Sequence, residues 1–238
     1  IGDEPMQMKK KFGDITVAVD KDRVNGIRRL TDGKTVKDID VVLLDDAFQH
    51  RYVKPGINIL LVDYHRLIIY DKLLPAGRLR EPLNGKNRAD IVIVTKCPAD
   101  LKPMDIRVLT KAMSLYPYQE LFFTTMEYGE FFPLFKEKED EAPELKGHNV
   151  LLLTGIASPE EMENDIKIKC RSLKTMTFRD HHAFTPKDVE AINDAFERME
   201  SPKIIVTTEK DSTRLLQTEL NATIKSAIYV LPIRVRFM

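Results

Sequence analysis

The chain has 238 residues, 37 of them basic and 37 acidic, for a formal net charge of +0 at pH 7. That length supports one large or two modest α/β domains, and the charge balance excludes a general nucleic-acid footprint, leaving room only for a local patch. Cys97 and Cys170 lie far apart and outside any Cys-x-x-Cys spacing, which fits a reducing compartment rather than a disulfide scaffold. No run of about 18 apolar residues is present to span a bilayer, and no signal-peptide pattern opens the chain. The first residue is Ile1 rather than Met, so the expectation is a fragment of a longer protein.

Asp3-Glu4-Pro5 reads as a helix start, with Pro in the first turn. A short buried strand is expected over 15–19 and a helix over 22–30. Val41-Val42-Leu43-Leu44 follows, an unbroken apolar run that predicts a central strand buried on both faces of a parallel sheet. It stops on Asp45-Asp46, then Ala47-Phe48-Gln49-His50. A strand ending in two acids delivers hard oxygen ligands to the carboxyl edge of a sheet, where open α/β folds bind ligands. Such a pair suits Mg²⁺ brought in by a nucleotide phosphate. The plainer alternative is that the two acids merely cap and solubilise a strand end.

Two more apolar runs, 57–63 ending on Asp63 and 91–95 ending in Thr95-Lys96, predict further strands and hence βαβ units with a mostly parallel sheet. Between them lies Leu73-Leu74-Pro75-Ala76-Gly77-Arg78-Leu79-Arg80-Glu81-Pro82. This stiff loop presents Arg78 and Arg80 beside Glu81 and is suited to bidentate phosphate contacts, the alternative being a solvated charged loop. A helix is expected over 101–118 and extended, aromatic-rich segments over 121–135. The nearly all-charged stretch 136–146 reads as a linker.

A second α/β unit starts at Asn149. Val150-Leu151-Leu152-Leu153-Thr154 is another buried strand, and Ser158-Pro159-Glu160-Glu161 forms a capping box for the helix after it. In Asp180-His181-His182 the two imidazoles point different ways, so at most one serves a given site, and Asp180 could orient it for general-base work. Thr185-Pro186 opens a helix, the run from Lys203 is a strand that exits into Thr207-Thr208-Glu209-Lys210-Asp211 and then a helix, and Pro232 makes 227–233 an edge strand.

Five motifs therefore stand in order: Gly2-Asp3-Glu4-Pro5; Asp45-Asp46-x-x-Gln49-His50; Leu74-Pro75-Ala76-Gly77-x-Leu79-Arg80-Glu81-Pro82; Asp180-His181-His182; and Thr207-Thr208-Glu209-Lys210-Asp211-x-x-Arg214-Leu215. Together they resemble the tetraacyldisaccharide 4'-kinase family, the lipid A 4'-kinases of Gram-negative bacteria, over essentially the whole chain. The resemblance implies an α/β fold with a P-loop NTPase-like parallel sheet and a second, smaller α/β domain joined by an extended linker. On this chain, residues 1–135 would be the remainder of the kinase domain, 136–148 the charged linker and 149–238 the C-terminal domain.

The implied activity is transfer of the ATP γ-phosphate, with Mg²⁺, to the 4'-hydroxyl of a tetraacylated glucosamine disaccharide 1-phosphate. The implied setting is the cytoplasmic face of the bacterial inner membrane, with a monomer that contacts the membrane through a helix upstream of residue 1 and binds no nucleic acid. By the same resemblance, Asp45 and Asp46 hold the metal, Asp46 also serving catalysis. Asp3 accepts the sugar hydroxyl proton, His181 partners it from the other domain, and Gln49, His50, Arg80 and Glu81 lie near the phosphates and the disaccharide. Two departures stand out. The Gly-rich loop with its Lys, which cradles phosphates in this family, does not occur within the 238 residues, so these residues alone are expected to be inactive. Arg78 also replaces a Pro of the loop motif. The competing reading is a non-catalytic α/β module that grips a metal or sugar phosphate without turnover.

Overall fold

The computed structural model describes residues 2–135, 144–156, 159–180 and 182–238. In chain order the helices are α1 (Asp3–Lys11), α2 (Arg23–Leu30), α3 (Pro103–Met113), α4 (Glu160–Lys167), α5 (Pro186–Glu197), α6 (Glu209–Leu215) and α7 (Ala222–Ala227). The strands are β1 (Ile59–Asp63), β2 (Ile91–Thr95), β3 (Glu120–Tyr128), β4 (Phe132–Pro133), β5 (Asn149–Thr154), β6 (Ser172–Thr177), β7 (Lys203–Thr208), β8 (Ile228–Leu231) and β9 (Ile233–Phe237). The chain divides into two compact units, one made of Ile1–Ala18 with Tyr128–Ile233 and the other of Val19–Glu127 with Arg234–Met238. α1 thus belongs to the unit that contains residues 178–182, not to the one that contains Asp45 and Asp46.

The first unit is built on a five-stranded sheet in the order β4-β8-β7-β5-β6, parallel except for the two-residue β4. β5 lies between β6 and β7, and all six of its residues are buried. Because side chains alternate across a strand, Leu151 and Leu153 enter one core with Ile192 and Phe196 of α5, and Val150 and Leu152 enter another with Met162 and Ile166 of α4. Helices on both faces explain why this strand has no polar alternation. α5 starts where the chain supplies its own cap: the Thr185 hydroxyl accepts from the Asp188 N–H at 3.3 Å, and the Asp188 carboxylate accepts from the Thr185 N–H at 2.8 Å.

The second unit carries a four-stranded sheet in the order β1-β2-β3-β9, with β1, β2 and β3 parallel. Val92 and Val94 of β2 are fully buried, packed with Met113 and Leu109 of α3. α2 begins at Asp22, whose carboxylate accepts from the Val24 and Asn25 N–H groups. Pro103 occupies the first turn of α3.

The α/β class and the strands at β1, β2, β5 and β7 agree with the sequence. Three expectations do not. Residues 41–44 are no strand: Val41 is 71% exposed and Leu43 89%, and no ladder reaches them among the described residues. Residues 15–19 are likewise irregular, with Val19 61% exposed. In both stretches the apolar run supplies strand propensity, but a strand also needs a neighbour for its backbone groups. β8 is not an edge either, being flanked by β7 and β4. Pro232 falls after its last residue and so interrupts no ladder. Ser158, the expected cap of α4, and most of the charged stretch 136–146 lie outside the described residues.

Candidate active site

In the second unit, Asp45 and Asp46 form an exposed turn, with Asp46 in the left-handed region at φ 44°. Asp is among the few non-glycine residues that tolerate that conformation, because its short side chain can bond locally. Among the described residues no cation pairs with either carboxylate. Two exposed, adjacent carboxylates fit Mg²⁺, which takes one or two such ligands and fills its octahedron with water and phosphate oxygens. No group of three or more His, Cys, Asp or Glu side chains is gathered as a metal site among the described residues. The pair therefore suits a metal that arrives with phosphate rather than one caged by protein.

The same turn is fixed from behind. Gln49 is exposed, while His50 is half-buried, its N–H bonded to the Ala47 carbonyl at 2.8 Å and its ring edge-on to Tyr52 at 5.7 Å. Its Nε2 is buried without a hydrogen-bond partner. The Arg88 guanidinium lies over the Phe48 ring at 4.7 Å and donates to the Phe48 carbonyl at 3.2 Å. Arg88 also donates to Glu81 at 2.8 Å, and Arg51 reaches the other Glu81 oxygen at 3.1 Å. The Arg88 hydrogen bond, reinforced by Arg51, holds the Glu81 carboxyl below the ordinary glutamate range against the opposing effect of burial. Glu81 and the 45–50 turn, far apart in the chain, are thus joined through one arginine.

Glu81 follows a closed loop. The Leu79 N–H bonds to the Lys72 carbonyl and the Leu74 N–H to the Leu79 carbonyl, both at 3.0 Å, and Asp71 accepts from the N–H groups of Lys72 and Arg78. A Cβ on Gly77 would sit 2.2 Å from the Lys72 carbonyl oxygen, so only glycine fits the closure. Arg80 is exposed beyond this loop.

At the carboxyl ends of β1 and β2, Lys96 pairs with Asp63 at 2.7 Å. Burial alone would raise the Asp63 carboxyl, but Lys96 and the His65 N–H outweigh it and hold the carboxyl below its usual value.

The first unit holds the other expected residues. Asp3 is the first residue of α1, and His181 lies outside the described residues. Its neighbour His182 is held in place: its Nε2 meets Asp188 at 2.9 Å, and its ring stacks on Phe178 at 5.2 Å and meets Phe184 edge-on at 5.6 Å. Hydrogen bonds from the hydroxyl and N–H of Thr185, then from His182, bring the Asp188 carboxyl down to about 2. His182 is therefore part of the start of α5, which the sequence alone left open between the two histidines. On the other side, Asp180 pairs with Lys210 at 2.8 Å.

The residues that sequence reasoning passed over as chemistry are Glu209, Lys210 and Asp211. Asp211 is 1% exposed, accepts from the Gly155 N–H at 2.9 Å and from the Thr208 hydroxyl at 2.7 Å, and pairs with the buried Arg214 at 3.2 Å. The signals for this in the sequence are a charged run placed directly after an apolar strand and the place of these residues in the fifth motif.

Comparison with known proteins adds a family. The family profile described as Tetraacyldisaccharide-1-P 4'-kinase matches residues 1–238. Tetraacyldisaccharide 4'-kinase of Phocaeicola vulgatus is 54% identical over all of this chain, which spans 66% of that protein. The enzyme of the same name from Bacteroides thetaiotaomicron is 49% identical, with 65% of its length spanned. The crystal structure of an apo-form LpxK from Aquifex aeolicus in complex with ATP superposes with a TM-score of 0.66 at 26% identity, covering the whole of this chain and 65% of that one.

Proposed function

Since the chain belongs to the tetraacyldisaccharide-1-P 4'-kinase family, we propose that the protein of which these 238 residues are part transfers the γ-phosphate of ATP to the 4'-hydroxyl of a tetraacylated glucosamine disaccharide 1-phosphate. The observation that carries this reading is the match over every residue of the chain, at 54% identity to an enzyme of that name. The ATP in the Aquifex aeolicus structure supports the choice of phosphoryl donor.

In this mechanism Asp45 and Asp46 would hold Mg²⁺, for which their exposed, adjacent carboxylates are suited. Mg²⁺ bound there supplies charge neutralisation on the phosphate oxygens. The 4'-oxygen attacks the γ-phosphorus, and the bond from that phosphorus to the β,γ-bridging oxygen breaks, releasing ADP. Asp3 takes the hydroxyl proton with His181 as its partner. Arg80 and Gln49 contact the phosphates and the disaccharide, while Glu81 and His50 shape that contact, Glu81 through its two arginines. The same reading puts the reaction at the cytoplasmic face of the inner membrane and takes the enzyme as a monomer, both as the family resemblance implies.

The test is to incubate the full-length protein with ATP, Mg²⁺ and the tetraacyldisaccharide 1-phosphate and to follow the lipid by mass spectrometry. A product heavier by one phosphate, located at the 4' position, is expected. ATP or lipid binding without turnover would instead favour a non-catalytic binding module.

A further inference from the structure

Glu209, Lys210 and Asp211 are consecutive, and each ties down a different part of the first unit. Glu209 accepts from Lys11, the last residue of α1, at 2.9 Å, and from the Ile233 N–H at 3.2 Å. Lys11 also donates to the Ile233 carbonyl at 3.3 Å, and α1 packs along α6. Lys210 pairs with Asp180 in the turn closed by the His182 N–H on the Arg179 carbonyl at 3.0 Å. Asp211 receives the Gly155 N–H at the end of β5. A Cβ on Gly155 would lie 2.8 Å from Asp211 Oδ1 and 3.1 Å from the Arg179 carbonyl oxygen, so the β5 exit fits closely between α6 and the same turn. Asp211 is in turn fixed by the buried Arg214.

We propose that Glu209 and Lys210 are positioning residues for the proton-accepting pair, Glu209 through the helix that begins at Asp3 and Lys210 through the residue preceding His181. This rests on the assignment of Asp3 and His181 under the proposed function. Two charged side chains on one short helix thereby set the placement of two segments about 180 residues apart in the chain. The buried Asp211–Arg214 pair keeps that helix in register with the sheet. A proton acceptor needs to lie within hydrogen-bond reach of the hydroxyl it serves, and misplacement by about 1 Å can cost about a hundredfold in rate.

The experiment is a pair of double-mutant cycles on the full-length protein, using Lys210→Met and Lys210→Arg alone and combined with His181→Ala, and Glu209→Gln alone and combined with Asp3→Ala. Lys210→Met and Glu209→Gln are expected to lower kcat by about tenfold or more, with the KM for ATP within twofold and the melting temperature nearly unchanged. Lys210→Arg, which keeps the charge, should recover most of the rate. In the His181→Ala background Lys210→Met should not lower kcat further, and in the Asp3→Ala background neither should Glu209→Gln, because residues acting through one group are not additive. Full additivity in either cycle, or a change in ATP KM with kcat intact, would overturn the positioning role while leaving the kinase reading in place. An unchanged kcat for His181→Ala itself would overturn the assignment of His181, and with it the positioning role of Lys210, while the kinase activity would stand.

Discussion

Asp188 shows how much one side chain can settle. Its carboxylate accepts from the N–H and hydroxyl of Thr185 and meets His182, and its pKa falls from 3.8 to about 2. A group whose folded pKa lies below its unfolded value contributes stability above the unfolded pKa and loses it as pH falls through the folded one. The Asp188 contribution should therefore be complete above about pH 4 and vanish toward pH 2. Asp188→Asn is expected to melt below the unaltered protein at neutral pH, by an amount corresponding to about 1 kcal/mol for a helix cap. Melting curves recorded down to pH 2 should show the gap closing, and a constant gap would mean that the carboxylate charge is not its source. The cap itself was legible, since Thr185-Pro186 followed by Asp188 is a capping pattern in any chain. The engagement of His182 was not, because Phe178 and Phe184 enclose it only once the strand and helix on either side are folded.

At the scale of elements, two runs with the same appearance behave differently. Val150-Leu151-Leu152-Leu153 and Val41-Val42-Leu43-Leu44 are both unbroken and apolar. The first is a central strand with every residue buried, and the second is irregular, with Leu43 89% exposed. Hydrophobic pattern fixes which faces of a segment avoid water, but not whether a neighbouring strand arrives to pair with it. β5 lies between two strands and two helical layers, so truncating it should be costly. Leu151→Ala, at a fully buried position, is expected to lower unfolding stability by about 2–5 kcal/mol. Chemical denaturation of the first unit would measure this, and a loss under about 1 kcal/mol would contradict close packing on both faces of the strand. The same limit explains what was hidden of the candidate site. Asp45 and Asp46 stood out by residue type, whereas the chain of contacts from Glu81 through Arg88 to Phe48, and the three ties made by residues 209–211, join segments that no local spacing relates.

For the molecule as a whole, two mostly parallel sheets provide two frameworks, one bearing the Asp45-Asp46 turn and one bearing α1, Asp180 and His182. The chain spans 66% of the Phocaeicola vulgatus enzyme and 65% of the Bacteroides thetaiotaomicron one, and no Gly-rich phosphate loop occurs within its 238 residues. No described helix is long and apolar enough to cross a membrane. Under the proposed function the carboxylate pair would hold the metal at the phosphates, and the central claim stands or falls with it. The direct measurement is the 4'-phosphorylation rate of the full-length protein against that of its Asp46→Asn variant, across a Mg²⁺ titration. The account predicts that Asp46→Asn lowers kcat by about a hundredfold or more, in line with the loss of a major electrostatic element, and requires more Mg²⁺ for half-maximal rate. A variant with the unaltered rate and the unaltered Mg²⁺ dependence would contradict it.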